Sequence, residues 1–120
     1  MNETAYVSEQ YKITQELIND FARASGGYGK IHVDPEHAKK TRFKTTLAHG
    51  FHLAALIEKE LTSLFPNWKS KGVLEVKFVK AVKVEQEFRI YLERDETENQ
   101  LNVTLRSDNG EVFVVGTASK

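Results

Sequence analysis

FARASGGYGKIHVDPEHAKKTRFKTTLAHGF, residues 21–51, is the stretch on which the reading of this chain turns. It holds His32, His37 and His49, three of the four histidines, together with Gly26, Gly27, Gly29 and Gly50. Glycines at 26, 27 and 29 permit a bend or a close backbone approach that a Cβ would resist. Ile31 and Val33 flank His32 with a local period of two, which predicts a short extended piece carrying His32. Asp34-Pro35 predicts a helix start, with Asp34 as the cap and Pro35 at the first position, over roughly residues 35–40. Leu47-Ala48-His49-Gly50-Phe51 then opens a long apolar helical pattern. Backbone N–H groups left free at such an opening can hold a carbonyl oxygen or an anion.

Working outward, residues 6–13 alternate poorly and predict a short first strand. Thr14 is a natural N-cap, and Leu17, Ile18, Phe21, Ala22 and Ala24 form an apolar face at helical spacing that Ser25-Gly26-Gly27 ends. Residues 41–46 read as a connection. Phe51, Leu53, Ala54, Ala55, Leu56, Ile57, Leu61, Leu64 and Phe65 predict a helix over residues 50–65. Its apolar coat is so wide that other structure should wrap it. From Gly72 onward the period changes to two. Leu74, Val76 and Phe78 mark one strand; Phe88, Ile90 and Leu92 a second; Leu101, Val103 and Leu105 a third. Val112-Phe113-Val114-Val115 is continuously apolar and predicts a strand covered on both faces. Asp108-Asn109-Gly110 is a hairpin signal, and residues 95–99 are the other hairpin connection. A helical half followed by antiparallel strands gives an α+β fold in which one long helix lies against a curved sheet, as one domain over residues 1–120.

Composition removes several function classes. Apolar residues make up 40% of the chain and charged residues 28%, ordinary proportions for a folded domain. Seventeen basic residues balance seventeen acidic ones, so the overall charge offers nothing to nucleic acid. There is no cysteine, which excludes disulfides, thiol nucleophiles and thiolate zinc sites. No run reaches membrane-spanning length, and the first residues show no signal pattern, so a cytoplasmic protein is expected.

The central stretch resembles the MaoC-like dehydratases, which include the (R)-specific enoyl-CoA hydratases. That family reads F-A-x-x-S-G-D-x-N-P-x-H-x-D and then A-H-G before an apolar helix. Phe21, Ala22, Ser25, Gly26, His32 and Asp34 match the first motif, and Ala48, His49 and Gly50 the second. Val76, Phe78 and Val82 fall on the family strand V-x-F-x-x-P-V. The resemblance implies a hot-dog fold, an antiparallel sheet wrapped around one long helix. It also implies addition of water to a 2-enoyl thioester, or its removal from a 3-hydroxyacyl thioester, on coenzyme A or an acyl carrier protein. A homodimer with sites at the interface is implied too. Two departures stand out: the family's catalytic aspartate position is Gly27 and its site asparagine position is Gly29. Ala81 replaces the strand proline, and Glu85-Gln86 replace a glycine-aspartate pair.

Such chemistry needs a base near neutrality and donors for a thioester oxygen that gains enolate character. His32 is the candidate catalytic base. The backbone at Gly50 is the candidate oxyanion donor, with His49, Phe51 and Tyr28 as further substrate-contact candidates. His49 reads more simply as structural, holding the turn into the long helix. Phe51 and Ala55 would line or back an acyl tunnel. A second proton-transfer group is open among Tyr28, Asp34, Glu36 and His52, and Asp34 has the competing use as helix cap. No histidine pair here forms a recognised ligand set, so no metal is expected. No bound cofactor is required beyond the thioester carrier. Lys39, Lys40, Arg42 and Lys44, with Lys69, Lys71, Lys77, Lys80 and Lys83, read either as a solvated face or as steering for an anionic carrier. The competing reading is a non-catalytic acyl-thioester-binding partner, one that pairs with an active homologue supplying the missing aspartate.

Overall fold

A computed structural model describes residues 4–95 and 100–119. The strands are β1 (Thr4–Val7), β2 (Tyr11–Lys12), β3 (Val73–Phe78), β4 (Glu87–Asp95), β5 (Gln100–Arg106) and β6 (Val112–Ser119). The helices are α1 (Gln15–Ser25), α2 (Lys30–Val33), α3 (Pro35–Lys39), α4 (Gly50–Leu64) and α5 (Trp68–Lys71). All strand pairs are antiparallel, in the order β1-β4-β5-β6-β3, with β2 also on β4. The expected α+β architecture, a long helix against an antiparallel sheet, is what forms. The hairpin expected at residues 95–99 lies largely outside the described residues.

The core follows from two periodicities meeting. Leu53, Ile57 and Leu61 recur every fourth residue and put one stripe of α4 into the sheet. Phe88, Ile90 and Leu92 alternate along β4, and Val103 and Leu105 along β5, so one face of the sheet meets that stripe in a single cluster. Phe113 and Val114 are both buried, so β6 is covered on both faces there. Val115 is 37% exposed, and the double cover ends with it.

Three expectations are corrected. The strand expected over residues 6–13 is two short strands, because the backbone breaks at Ser8. Its N–H donates to the Ile90 carbonyl at 2.9 Å, and its hydroxyl oxygen accepts from the Ile90 N–H at 2.9 Å. One polar side chain thus completes the ladder where the strand stops. The extended piece expected at His32 is a helical turn, α2, in which the His32 N–H donates to the Gly29 carbonyl at 2.9 Å. Three residues of alternation are too few to separate strand from helix. The apolar coat of α4 is wrapped on one side only: Phe51 is 80% exposed, and Ala55 and Leu64 are exposed as well. A sheet of this size reaches around one face of the helix and leaves the other open.

Local signals held where they had chemistry behind them. Thr14 caps α1 through its hydroxyl, and Gly26 ends α1 at φ 79°, its N–H on the Ala22 carbonyl at 2.8 Å. The Asp34 carboxylate accepts from the Glu36 and His37 N–H groups, both at 3.1 Å, and so caps α3. Far along α4, the buried Glu60 accepts from the hydroxyls of Tyr6 and Tyr11 and fastens the helix to β1 and β2. Its hydrogen bond and burial raise the Tyr6 pKa; for Tyr11 burial leads and the same hydrogen bond adds to it.

Glu85 sits at φ 70°, in the left-handed region, at the position where the resemblance has glycine. Its N–H is held on the Ile13 carbonyl at 2.8 Å, and its carboxylate reaches Lys12 at 3.6 Å in an exposed pair of little energetic weight. A side chain in this conformation costs about 1–2 kcal/mol, against about 0.4–1 kcal/mol for the extra unfolded freedom of glycine. Glu85→Gly is therefore expected to be neutral to about 1 kcal/mol stabilising, and Glu85→Val clearly destabilising, by equilibrium urea unfolding.

Candidate active site

The extended segment Thr46-Leu47-Ala48 positions everything around His32. On one edge the Leu47 N–H donates to the Ile31 carbonyl at 3.0 Å. On the other the Ala48 N–H donates to the Val82 carbonyl at 2.8 Å, and the Val84 N–H to the Thr46 carbonyl at 3.0 Å. Thr46 is buried and its hydroxyl donates to Gln15 Oε1 at 2.5 Å, while Gln15 Nε2 donates to the His32 carbonyl at 2.9 Å. The backbone of His32 is thus held by Gly29 at its N–H and by α1 at its carbonyl.

The His32 ring is held by the same segment. Its Nδ1 lies 2.8 Å from the Leu47 carbonyl oxygen. A carbonyl only accepts, so Nδ1 carries the hydrogen and neutral His32 keeps its lone pair on Nε2. The face of the ring lies on His49, with centroids 4.0 Å apart and planes 18° from parallel. His49 is 7% exposed, and its Nε2 donates to the Gly27 carbonyl, 2.7 Å away. Phe21 of α1 packs on His49 at 5.0 Å and stacks on His52 at 4.7 Å. The buried Nδ1 atoms of His49 and His52 have no hydrogen-bond partner among the described residues.

Of the residues singled out from sequence, His32, His49 and Gly50 come together. His49 occupies the N-cap position of α4 but makes no side-chain cap bond there. The Gly50 and Phe51 N–H groups in the first turn have no acceptor among the described residues. The Phe51 side chain points to solvent, and Tyr28 is 58% exposed with its hydroxyl in no hydrogen bond among the described residues. Asp34 is occupied as a cap, and Glu36 pairs with Lys39 on the surface. Gln15, Phe21 and Thr46 were missed as supports, since nothing local marks side chains that meet only through the fold.

An open groove of about 460 Å³ lies along the other edge of this segment. Ala48, Gly50 and Leu53 form one wall, Phe78, Val79 and Val82 another, and Arg42 and Lys80 also line it. A Cβ on Gly50 would come within 3.3 Å of the Phe78 ring, so glycine suits the close approach of β3 to the helix start. His32 is not among the groove's lining residues.

Comparison with known proteins agrees with this architecture. The family model described as MaoC like domain matches residues 1–112. The 3-hydroxyacyl-thioester dehydratase Z of Mycobacterium tuberculosis is 50% identical over 52 residues, which are 43% of this chain and 34% of that protein. The matched stretch thus spans about a third of the curated relative's length. HtdX of Mycobacterium tuberculosis is similar in structure, with TM-score 0.78 and 27% identity over 97% of this chain and 47% of that one. The R-hydratase PhaJ1 of Pseudomonas aeruginosa shares the fold, with TM-score 0.77 and 23% identity over 97% of this chain and 79% of that one.

Burial, and then the neighbouring His49, lower the His52 pKa below its ordinary 6.5. Below that value the unfolded chain takes up a proton that the folded chain still refuses, so stability falls as the pH drops through this window and is complete above it. The urea midpoint is expected to fall between about pH 7.5 and about pH 5.5, and to fall less in His52→Asn, which cannot charge.

Proposed function

The chain belongs to the MaoC-like domain family, and from that membership we propose that it is a hydratase/dehydratase of acyl thioesters. The observation that carries this reading is the His32 ring. Its Nδ1–H is committed to the Leu47 carbonyl, its Nε2 lone pair takes part in no hydrogen bond among the described residues, and unpaired N–H groups open α4 nearby. In this reading they serve as the base and the oxyanion donors that enoyl-thioester hydration needs.

No carboxylate pairs with His32 among the described residues, and in this reading the one base serves both proton transfers. As a water oxygen bonds to the β carbon of the enoyl thioester, the His32 Nε2 lone pair takes one of its protons. The double-bond electrons move toward the thioester oxygen, where the N–H groups of Gly50 and Phe51 offset the charge. The imidazolium then returns its proton to the α carbon. Dehydration runs the same steps in reverse. Arg42 and Lys80 at the groove suit the phosphates of coenzyme A or a phosphopantetheine arm, and either carrier accords with a cytoplasmic setting.

The assembly we propose is a homodimer. β3 is an edge strand, and Phe51, Val73, Phe78 and Val79 are exposed beside it, between 48% and 80%. An apolar edge of this kind calls for cover. We favour this reading over the partner-subunit alternative because His32 Nε2 is left free of hydrogen bonds among the described residues.

The chain is expected to hydrate crotonyl-CoA or a longer 2-enoyl thioester, followed by loss of enoyl-thioester absorbance. His32→Ala is expected to lose about 10²–10⁴-fold in kcat while staying folded. Full activity in His32→Ala, or no turnover over short and long chains on both carriers, would remove the reading.

A further inference from the structure

We infer that His49 is the positioning residue of His32, and that a side chain added at position 27 would press on the His49 ring. The inference deepens the proposed function and rests on it only for the kinetic part. A histidine ring held by one hydrogen bond can still rotate about its side-chain torsions and exchange which nitrogen carries the hydrogen. The Leu47 carbonyl fixes one edge of His32, and the face of His49, 4.0 Å away and nearly parallel, limits rotation of the ring about that contact. His49 is itself fixed, by its Nε2–H on the Gly27 carbonyl and by Phe21 on its flank.

Two further observations tie the arrangement together. A Cβ built on Gly27 would stand 3.1 Å from His49 Cδ2, 3.2 Å from its Nε2 and 3.3 Å from Ser25 Oγ. The φ of Gly27 is not in the left-handed region, so a side chain there would be felt through its contact with the ring, which would have to give by a few tenths of an ångström, and not through backbone strain. The buried Nδ1 of His49 has no partner, and a proton placed on it would be a buried donor with nothing to receive it. No charged side chain pairs with either ring among the described residues: α1 contributes Gln15 and Phe21, and α4 contributes His52.

The test is ¹⁵N imidazole NMR on the full chain at neutral pH, which reports the nitrogen that carries the hydrogen. Wild type should show His32 as the Nδ1–H tautomer. His49→Phe keeps an aromatic face and loses the Gly27 bond; it should keep that tautomer. His49→Gln keeps a donor for Gly27 and loses the face; it should show mixed tautomers with dispersed backbone shifts unchanged. Gly27→Ala presses on His49 and should broaden or shift the His32 ring signals. In turnover, His49→Gln should lose about 10- to 100-fold in kcat with little change in KM, as misplacement of a reacting group does. An unchanged His32 tautomer in folded His49→Gln overturns the inference. So does a tautomer shift in His49→Phe equal to that in His49→Gln, which would assign the effect to the Gly27 bond. Absence of turnover in wild type beside the expected tautomers would count against the proposed function alone.

Discussion

The site depends on one short extended segment being paired on both edges. Thr46-Leu47-Ala48 takes Ile31 and His32 on one side and Val82 and Val84 on the other, and the next residues open α4. Removing either edge would free the loop that carries His32 or the connection that leads from β3 into β4. Because the segment is buried and polar at its backbone, each unpaired group would cost a desolvation penalty of about 1–3 kcal/mol. This places the imidazole, the helix start and the groove in fixed relation without a disulfide. Gln15, reaching from α1 to both Thr46 and the His32 carbonyl, adds a second layer of the same kind.

Much of this was legible in the sequence, for identifiable reasons. The α4 stripe, the alternating strands, the Thr14 and Asp34 caps and the Gly26 stop each express a local rule, and each rule operates within a few residues. The motif residues His32, His49 and Gly50 were legible as a group because both motifs occur in the family's order. What failed was either too short or too distant. Ile31-His32-Val33 is one helical turn whose alternation carries no information at that length. The break at Ser8 depends on Ile90, far away in sequence. The open face of α4 was read as wrapped because apolar periodicity cannot tell which cover comes from the same chain.

The histidine cluster shows the same limit in its chemistry. From sequence His49 reads as a turn residue and His52 as one candidate acid among several. In the fold both pack against Phe21, each with a buried nitrogen that has no partner among the described residues. Neither is arranged to give a proton to substrate, and the gap left by the aspartate position is filled by no other carboxylate among the described residues. The geometry instead gives a single histidine with its lone pair defined by a carbonyl and its ring fixed by a stacked neighbour.

That account is tested most directly by restoring a carboxylate at position 27 and measuring hydration of a 2-enoyl thioester against wild type. The Gly27→Asp side chain would enter within about van der Waals contact of the His49 ring and bring a partly buried charge beside it. If His32 works alone and depends on His49 for its orientation, kcat for Gly27→Asp should be equal to wild type or lower. A hydration rate well above wild type in Gly27→Asp, with the fold unchanged, would contradict it and show that the site still lacks the acid its geometry was built to hold.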